Sequence, residues 1–494
     1  MFSIIQQQIS NVMKPVFLLF FFTSFFTFSQ NCSCEDNFNW LKKTFEENDA
    51  GFLYTLEQKG EDLYANHNKK FRAKIKPVKT IKECSSVLND WLRFFRSGHI
   101  GVRINNQQNK VQNGSSDTET LDQFKDWEKY DIGEKEFEHY ISKLKNTTYE
   151  GVWESKPYKI GVIKTKNEYI GFVLEADGVY WKKNQIKFRI KVSENDQKEA
   201  IYYMKDHSAR IFKDIKLVGK NYLQMGFIAL KRLKPYFEVD KTIEEHFALI
   251  KAQNPMIKEL NDNTILLRIP SFSYSNKKYI DSLIMVNHDQ LTRKKNLIID
   301  VRNNGGGSDA SYKKIIPYLY TNPIRTVGVK LLSTPLNNNR MKKFMKDPSW
   351  SAEEKKWAKE GLEKLNKHIG EFVNLDDTII DIKKIDTIYP YPKNVAIVIN
   401  KNNGSTTEQF LLAAKQSKKV KLYGTTTTGV LDISNMNFVD SPCKDLQLGY
   451  SLSKSMRIPE MTIDNKGIQP DYYIDKSIPD YQWIKYVEKI LKED

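Results

Sequence analysis

The chain has 494 residues, 40% of them hydrophobic and 28% charged, which is enough for two or three domains and fits a soluble globular protein. Its formal net charge of +16 comes from lysines spread along the whole length, with a local cluster over residues 69–76. A nucleic acid or an anionic cell-surface polymer would match that sign, but no DNA- or RNA-binding motif accompanies it. The charge therefore reads as a solvated surface, and no nucleic-acid partner is expected.

The first thirty residues differ from the rest. Lys14 precedes an apolar run from Pro15 to Phe28, closed by Ser29 and Gln30. This is the pattern of a secretory signal peptide, so export to a periplasmic or extracellular space is expected, with no stable membrane insertion after cleavage. A spanning helix needs roughly 20 apolar residues, and an uncleaved anchor is the other reading of this segment. In an oxidising compartment the four cysteines, Cys32, Cys34, Cys84 and Cys443, are too few for a disulfide scaffold. One bridge is expected, from Cys84 to Cys32 or Cys34. No second pair stands at zinc spacing from Cys32 and Cys34, and nothing implies a metal or organic cofactor.

Residues 31–110 read as an N-terminal helical region. Apolar residues recur at three- and four-residue spacing over 38–45 and 87–95. The second run ends at Ser97-Gly98-His99-Ile100-Gly101, where Gly98 would stop a helix, and a short strand follows over 100–104. Residues 105–120 are rich in Asn, Gln, Ser, Gly and Asp and read as a loop, and residues 111–147 read as a linker. From 148 to 235 the pattern alternates. Strands are expected at 158–164, 169–175, 179–181, 186–192, 209–217 and 223–230, forming a small antiparallel barrel or sandwich.

From 236 to 494 strand and helix alternate, as in a layered α/β domain. Strands are expected at 264–269, 297–301, 395–399 and 421–423, and helices at 279–291, 352–368 and 406–416. The charged helix near 351–368 interrupts the sheet pattern and is expected to form a flap. Two strands carry the most information. One runs Asn296-Leu-Ile-Ile-Asp300-Val-Arg302-Asn-Asn304-Gly305-Gly306-Gly307. The other runs Val395-Ala-Ile-Val-Ile399 into Gly404-Ser405-Thr406-Thr407-Glu408. Each is a buried aliphatic strand that ends in a glycine turn before a helix, where chemistry collects in parallel sheets.

These motifs, in this order, resemble the tail-specific or C-terminal-processing peptidase family, which includes the core of the tricorn protease. The family pairs Asp-x-Arg-x-Asn-x-Gly-Gly with a later Ser-x-x-Glu, here Asp300 to Gly307 and Ser405 to Glu408. Its acidic residue ahead of Gly-x-x-Pro-Asp is Asp464, before Gly467 and Pro470-Asp471. Its upstream histidine is His99 in Gly98-His99-Ile100-Gly101. The resemblance implies a crotonase-like (ClpP-like) ββα superhelix core and a serine-type endopeptidase acting on peptides, unfolded proteins or protein C-terminal tails. Many family members use a Ser–Lys dyad, but the lysine position is Val430 here, so a Ser–His–acid arrangement is expected. Asp464 stands where the tricorn-like group has Glu. Ser97, one residue before Gly98, stands near tricorn's serine preceding its histidine. The module at 148–235 occupies the place of a peptide-binding PDZ domain.

A serine hydroxyl needs a base to take its proton and donors to hold the oxyanion. The expected roles are Ser405 as nucleophile, His99 as general base and Asp464 as orienting or supporting acid. The oxyanion hole is expected from the backbone N–H groups of Thr406 and of Gly306 or Gly307, with Glu408 and Ser97 in support. Each feature also has a plain structural reading. Ser405-Thr-Thr-Glu408 is a capping box, the three glycines make a turn, and Asp464-Asn-Lys-Gly467 suits a hairpin. Asp300 and Arg302 read as an ion pair at the strand end. The alternative function is a non-catalytic protein that binds a peptide or apolar ligand on the same scaffold.

Overall fold

The computed structural model describes residues 32–105, 124–176, 178–193, 195 and 197–493. The expected signal peptide and most of the expected 105–120 loop lie outside the described residues. The N-terminal layer is four helices: α1 (Cys34–Asn48), α2 (Phe52–Lys59), α3 (Glu61–Ile75) and α4 (Ile81–Leu92). Ser33 and Thr80 open α1 and α4 with reciprocal capping boxes, and the helices bury Phe38, Leu41, Phe45, Leu88 and Trp91 against one another. Strand β1 (Gly101–Ile104) follows directly after the Gly98-His99 turn.

One of the two expected cysteine pairings forms, and an unexpected second bridge joins it. Cys34 bonds Cys84, tying α1 to α4, and Cys32 bonds Cys443, so two bridges form rather than one. The second closes a sequence separation of 411 residues, a pairing that no local spacing signals.

The segment expected as a linker carries helix α5 (Glu134–Ser142), whose Phe137 and Ile141 are buried against the following sheet. That sheet has nine antiparallel strands: β2 (Gly151–Ser155), β3 (Tyr158–Lys164), β4 (Glu168–Glu175), β5 (Ile186–Val192), β6 (Lys198–Tyr203), β7 (Ala209–Phe212), β8 (Ile215–Val218), β9 (Tyr222–Met225) and β10 (Ile228–Lys234). Their order is β7-β6-β5-β4-β3-β2-β10-β9-β8. Four expectations change here. The 179–181 strand is irregular chain that buries Trp181, while β6 forms where no strand was expected. The 209–217 strand breaks at Lys213-Asp214 into β7 and β8, and the 223–230 strand turns at Gly226 into the β9–β10 hairpin.

After α6 (Lys241–Lys251), a six-stranded sheet is laid down by β11 (Met256–Asn261), β12 (Thr264–Arg268), helix α7 (Tyr274–Val286) and β13 (Asn296–Asp300). There follow β14 (Ile324–Val327), β15 (Val329–Leu332), the helical hairpin α8 (Pro335–Lys346) and α9 (Ala352–Asn366), β16 (Phe372–Val373) and β17 (Ile380–Lys383). The chain then returns to the sheet with β18 (Asn394–Ile399), α10 (Thr406–Ala414) and β19 (Val420–Gly424). It continues through β20 (Ile433–Asp440), β21 (Leu446–Ser455), β22 (Tyr472–Tyr473) and α11 (Trp483–Glu493). Helix α9, expected as a flap, is the second arm of a packed hairpin that buries Met341, Ala358, Leu365 and Val373.

Two sheets position the site. In the first, ordered β11-β12-β13-β18-β19-β22, strands β12, β13, β18 and β19 run parallel, with Asp300 opposite Val398. The turns after β13 and β18 therefore leave the same sheet edge side by side. Its core is aliphatic on both faces, as parallel strands require: Leu297, Ile299, Ile397 and Ile399 pack one way and Ile298, Ala396 and Val398 the other. In the second sheet β21 pairs with β1, β15 and β20, so Gly101 lies opposite Gly449 and Ile433 opposite Lys454. The N-terminal chain is thereby carried into the C-terminal core.

Candidate active site

The turn after β13 is built on a buried ion pair. Asp300 and Arg302 form two side-chain hydrogen bonds, and Arg268 adds the carbonyls of Asp300 and Arg302. The two cations hold the Asp300 carboxyl down to about 2 against the cost of burial. This is the structural pair that the sequence predicts, and it sets the exit of the strand. Asn304 then organises the glycines. Its Oδ1 accepts N–H groups from Phe272 and Gly306, and its carbonyl accepts Thr407 Oγ1 and Asn403 Nδ2 at 3.0 and 3.1 Å. The glycine turn and the serine turn are stitched together by these bonds.

That stitching corrects the oxyanion-hole expectation. The Gly306 N–H already donates to Asn304 at 3.0 Å, so it is not available to a substrate. Gly307 and Thr406 remain, and among the described residues no acceptor stands against either N–H. Gly306 still has a steric role. A Cβ there would stand 2.8 Å from Ser405 Cβ and 2.9 Å from the Thr406 nitrogen. Gly307 has φ +147° and passes so close to Phe272 that a Cβ would lie 2.2 Å from its carbonyl oxygen.

Ser405 sits at φ +57°, ψ −128°, outside the extended backbone usual for a helix N-cap. It ends the turn after β18 and starts α10, whose dipole points its positive end at the same place. Its N–H is shared between the Val430 carbonyl at 3.1 Å and Glu408 Oε2 at 3.2 Å. Glu408 is fully buried and also accepts from Thr427 Oγ1, Gly429 N and Val430 N. Burial raises its pKa and these donors oppose the rise. Glu408 thus fixes the strained serine turn to the loop ahead of β20. Val430, at the lysine position of the resembling family, packs against Gly98 and Gly404, where an added Cβ would meet it at 2.6 and 2.7 Å.

The serine hydroxyl faces His99. Ser405 Oγ lies 3.0 Å from His99 Nε2, and His99 Nδ1 lies 2.8 Å from the Ile433 carbonyl oxygen. A carbonyl only accepts, so Nδ1 carries the proton and Nε2 is left as the acceptor for the serine hydroxyl. Burial is the main influence on the imidazole and lowers its pKa; the Ile433 bond and Asp464 oppose this, and Arg96 adds to it.

Asp464 does not touch the ring. Its carboxylate accepts the N–H groups of Leu431, Asp432 and Ile433 at 2.5, 2.7 and 3.2 Å. It holds the segment whose Ile433 carbonyl bonds His99 Nδ1, and so stands one peptide removed from the ring. Asp432 answers it, accepting Asp464 N at 2.9 Å, and pairs with Arg457 at 2.9 Å.

Ser97 is exposed, and its hydroxyl makes no hydrogen bond to the described residues of the site; the carbonyls of the turn are bonded by Arg96. Arg96 donates to the carbonyls of Gly98 and His99 at 3.1 and 2.9 Å and pairs with buried Asp49. Asn304, Ile433, Asp49 and Arg96 went unassigned in the sequence. Asn304 lies inside the glycine motif, and that motif is the local signal that points to it. Ile433 contributes a carbonyl, which has no side-chain signature.

Residues 263–474 match the family model of Peptidase family S41. None of the curated proteins matches. Among solved structures, mature CPAF is 13% identical with a TM-score of 0.51, covering 93% of this chain and 97% of that one. Mature CPAF complexed with lactacystin is 12% identical with a TM-score of 0.50, covering 93% and 98%. These two show a shared fold of mixed helices and sheets. A putative peptidase from Parabacteroides merdae is 13% identical with a TM-score of 0.43, covering 93% and 97%.

Proposed function

Because this chain belongs to peptidase family S41 through residues 263–474, we propose that it is an exported serine endopeptidase with Ser405 as nucleophile and His99 as general base. Family membership makes it a serine-type peptidase acting on peptide or protein substrates. The observation that carries the residue assignment is the 3.0 Å contact between Ser405 Oγ and an imidazole whose other nitrogen is held by a carbonyl.

The serine O–H proton passes to His99 Nε2 as Oγ bonds to the scissile carbonyl carbon. The carbonyl oxygen takes the negative charge and accepts the N–H groups of Gly307 and Thr406. Collapse of this intermediate breaks the C–N bond, and the leaving amine takes the proton back from Nε2. Water repeats the sequence to release the acyl group. Asp464 supports the base through the 431–433 segment. Peptides, unfolded chains or protein tails are the substrates that this site fits, with the nine-stranded sheet presenting or gating them. A non-catalytic binder has no use for a base beside the serine and two backbone donors without acceptors.

The core reads as a crotonase-like ββα superhelix, supported by the strand–helix alternation around the parallel sheet. Export is supported by the signal-like segment at 1–30 and by two disulfides among the described residues. The decisive test is labelling of the mature protein with a fluorophosphonate probe. Labelling that maps to Ser405 and disappears in Ser405→Ala and His99→Ala is expected. A folded protein that does not label would end this reading.

A further inference from the structure

Behind His99, away from Ser405, lies a charge pair that the reaction itself does not use. Asp49 follows α1, and its side chain has no solvent exposure; Arg96 precedes the histidine turn and is 7% exposed. The guanidinium grips both carboxylate oxygens, with Nη1 to Oδ1 at 2.7 Å and Nη2 to Oδ2 at 2.5 Å. The same guanidinium donates to the Gly98 and His99 carbonyls. Ser451 of β21 closes the cluster. Its Oγ donates to the His99 carbonyl at 3.0 Å, and its N–H donates to Asp49 Oδ2 at 3.0 Å.

Burying two charges is costly, and a hydrophobic pair would often serve stability as well. What a hydrophobic pair could not do is hold two carbonyls. His99 has φ +54°, a left-handed backbone that a residue with a Cβ adopts only when its surroundings impose it. The space around the pair is shaped to admit it. A Cβ on Gly51 would stand 2.8 Å from Arg96 Nη1 and 2.9 Å from Ile433 Cγ2, in contact with both the clamp and the residue whose carbonyl orients the ring.

We infer that Asp49, Arg96 and Ser451 form a positioning clamp that holds the backbone of His99 in its left-handed turn and aims the imidazole at Ser405. The clamp makes the N-terminal helical layer a working part of a site whose nucleophile lies more than three hundred residues later. The inference rests on the serine-peptidase reading for its consequence in rate, but not for its consequence in the titration of His99. The charged groups that face this imidazole are Arg96, backed by Asp49, and Asp464 beyond the Ile433 peptide.

The test uses the full mature chain, with Arg96→Lys, the charge-neutral pair Asp49→Asn with Arg96→Gln, and Gly51→Ala. Arg189→Gln, in the nine-stranded sheet, controls for loss of an ion pair elsewhere. Readouts are kcat and KM on a peptide, the fluorophosphonate labelling rate against pH, the His99 titration by NMR, and thermal unfolding. The double variant is expected to lose on the order of 10²-fold in kcat and labelling rate with KM little changed, as a misplaced base does. Its acid limb and His99 pKa should move up, because the guanidinium charge that lowers them is gone. Arg96→Lys should keep the charge and the pH profile but lose part of the rate, since ammonium cannot fork. Gly51→Ala should lose rate with the guanidinium intact. Folded variants that keep wild-type rates and an unmoved His99 titration would overturn the clamp. If wild type fails to label at Ser405, the peptidase reading falls, and the His99 titration in the same variants still decides the clamp.

Discussion

At the scale of single residues, the proposed mechanism has Ser405 and His99 divide a task that neither performs alone. Replacing Ser405 by Ala is expected to lower kcat by about 10⁶-fold, and His99→Ala by a similar factor, because residues of one relay act as a unit. Stopped assays on purified protein, with circular dichroism to confirm folding, check this. Asp464 belongs to a different class. It touches backbone N–H groups rather than the ring, so Asp464→Ala should cost on the order of 10²-fold through misplacement of the Ile433 carbonyl. A loss as large as that for Ser405 would mean direct contact with the imidazole during the reaction. The pH profile follows from burial. His99 must be neutral to accept a proton, and its pKa is lowered. The acid limb of kcat/KM is therefore expected below the unperturbed histidine value of about 6.5. Asp464→Asn removes a carboxylate that raises this pKa and should move the limb further down. An acid limb well above 6.5 would contradict the assignment of His99.

At the scale of elements, the site is two parallel strand ends plus a histidine turn fixed by an antiparallel hairpin. The strand ends are legible in sequence because aliphatic runs broken by glycine announce both the strand and its turn. The β20–β21 hairpin is not, since residues 446–455 mix Gly, Ser and Lys with apolar residues and none of the expected strands fell there. Yet β21 brings β1, and hence His99, beside β20. Two substitutions probe these elements. Gly307→Ala places a methyl 2.2 Å from the Phe272 carbonyl and should abolish activity while lowering the melting temperature. Val430→Lys supplies the lysine of a Ser–Lys dyad, but it replaces packing against Gly98 and Gly404 with a charge. It is expected to destabilise the fold by several kcal/mol rather than to rescue a His99→Ala enzyme. Recovery of labelling in that double variant would show that the lysine can serve.

At the scale of the whole molecule, the N-terminal layer is fastened to the core by the Cys32–Cys443 bridge, by β1 on β21 and by the hydrogen bonds of Ser451 to Asp49 and to the His99 carbonyl. Cys32→Ser with Cys443→Ser should lower stability by about 2–5 kcal/mol and reduce the labelling rate, because the layer it loosens carries His99. Thermal unfolding and probe labelling in parallel test both effects. Stability should also fall in acid. Burial lowers the pKa of His207 to about 4 and that of His246 to about 3. Their contribution is complete above the unfolded value of about 6.5 and is lost as the pH falls through their folded values. A melting temperature that is flat from pH 7 to 4 would contradict this. The amino-acid sequence by itself determined the buried parallel strands, the glycine turns, the serine at a helix start and the histidine turn, because these are local in periodicity and turn chemistry. Only the tertiary structure decided that Gly306 is engaged by Asn304, that Asp464 bonds the N–H groups of residues 431–433 rather than the ring, that Cys32 reaches Cys443 and that Arg96 bonds the carbonyls of the histidine turn. Each of these depends on backbone N–H and carbonyl groups or on partners tens to hundreds of residues apart, and neither leaves a trace in local residue patterns.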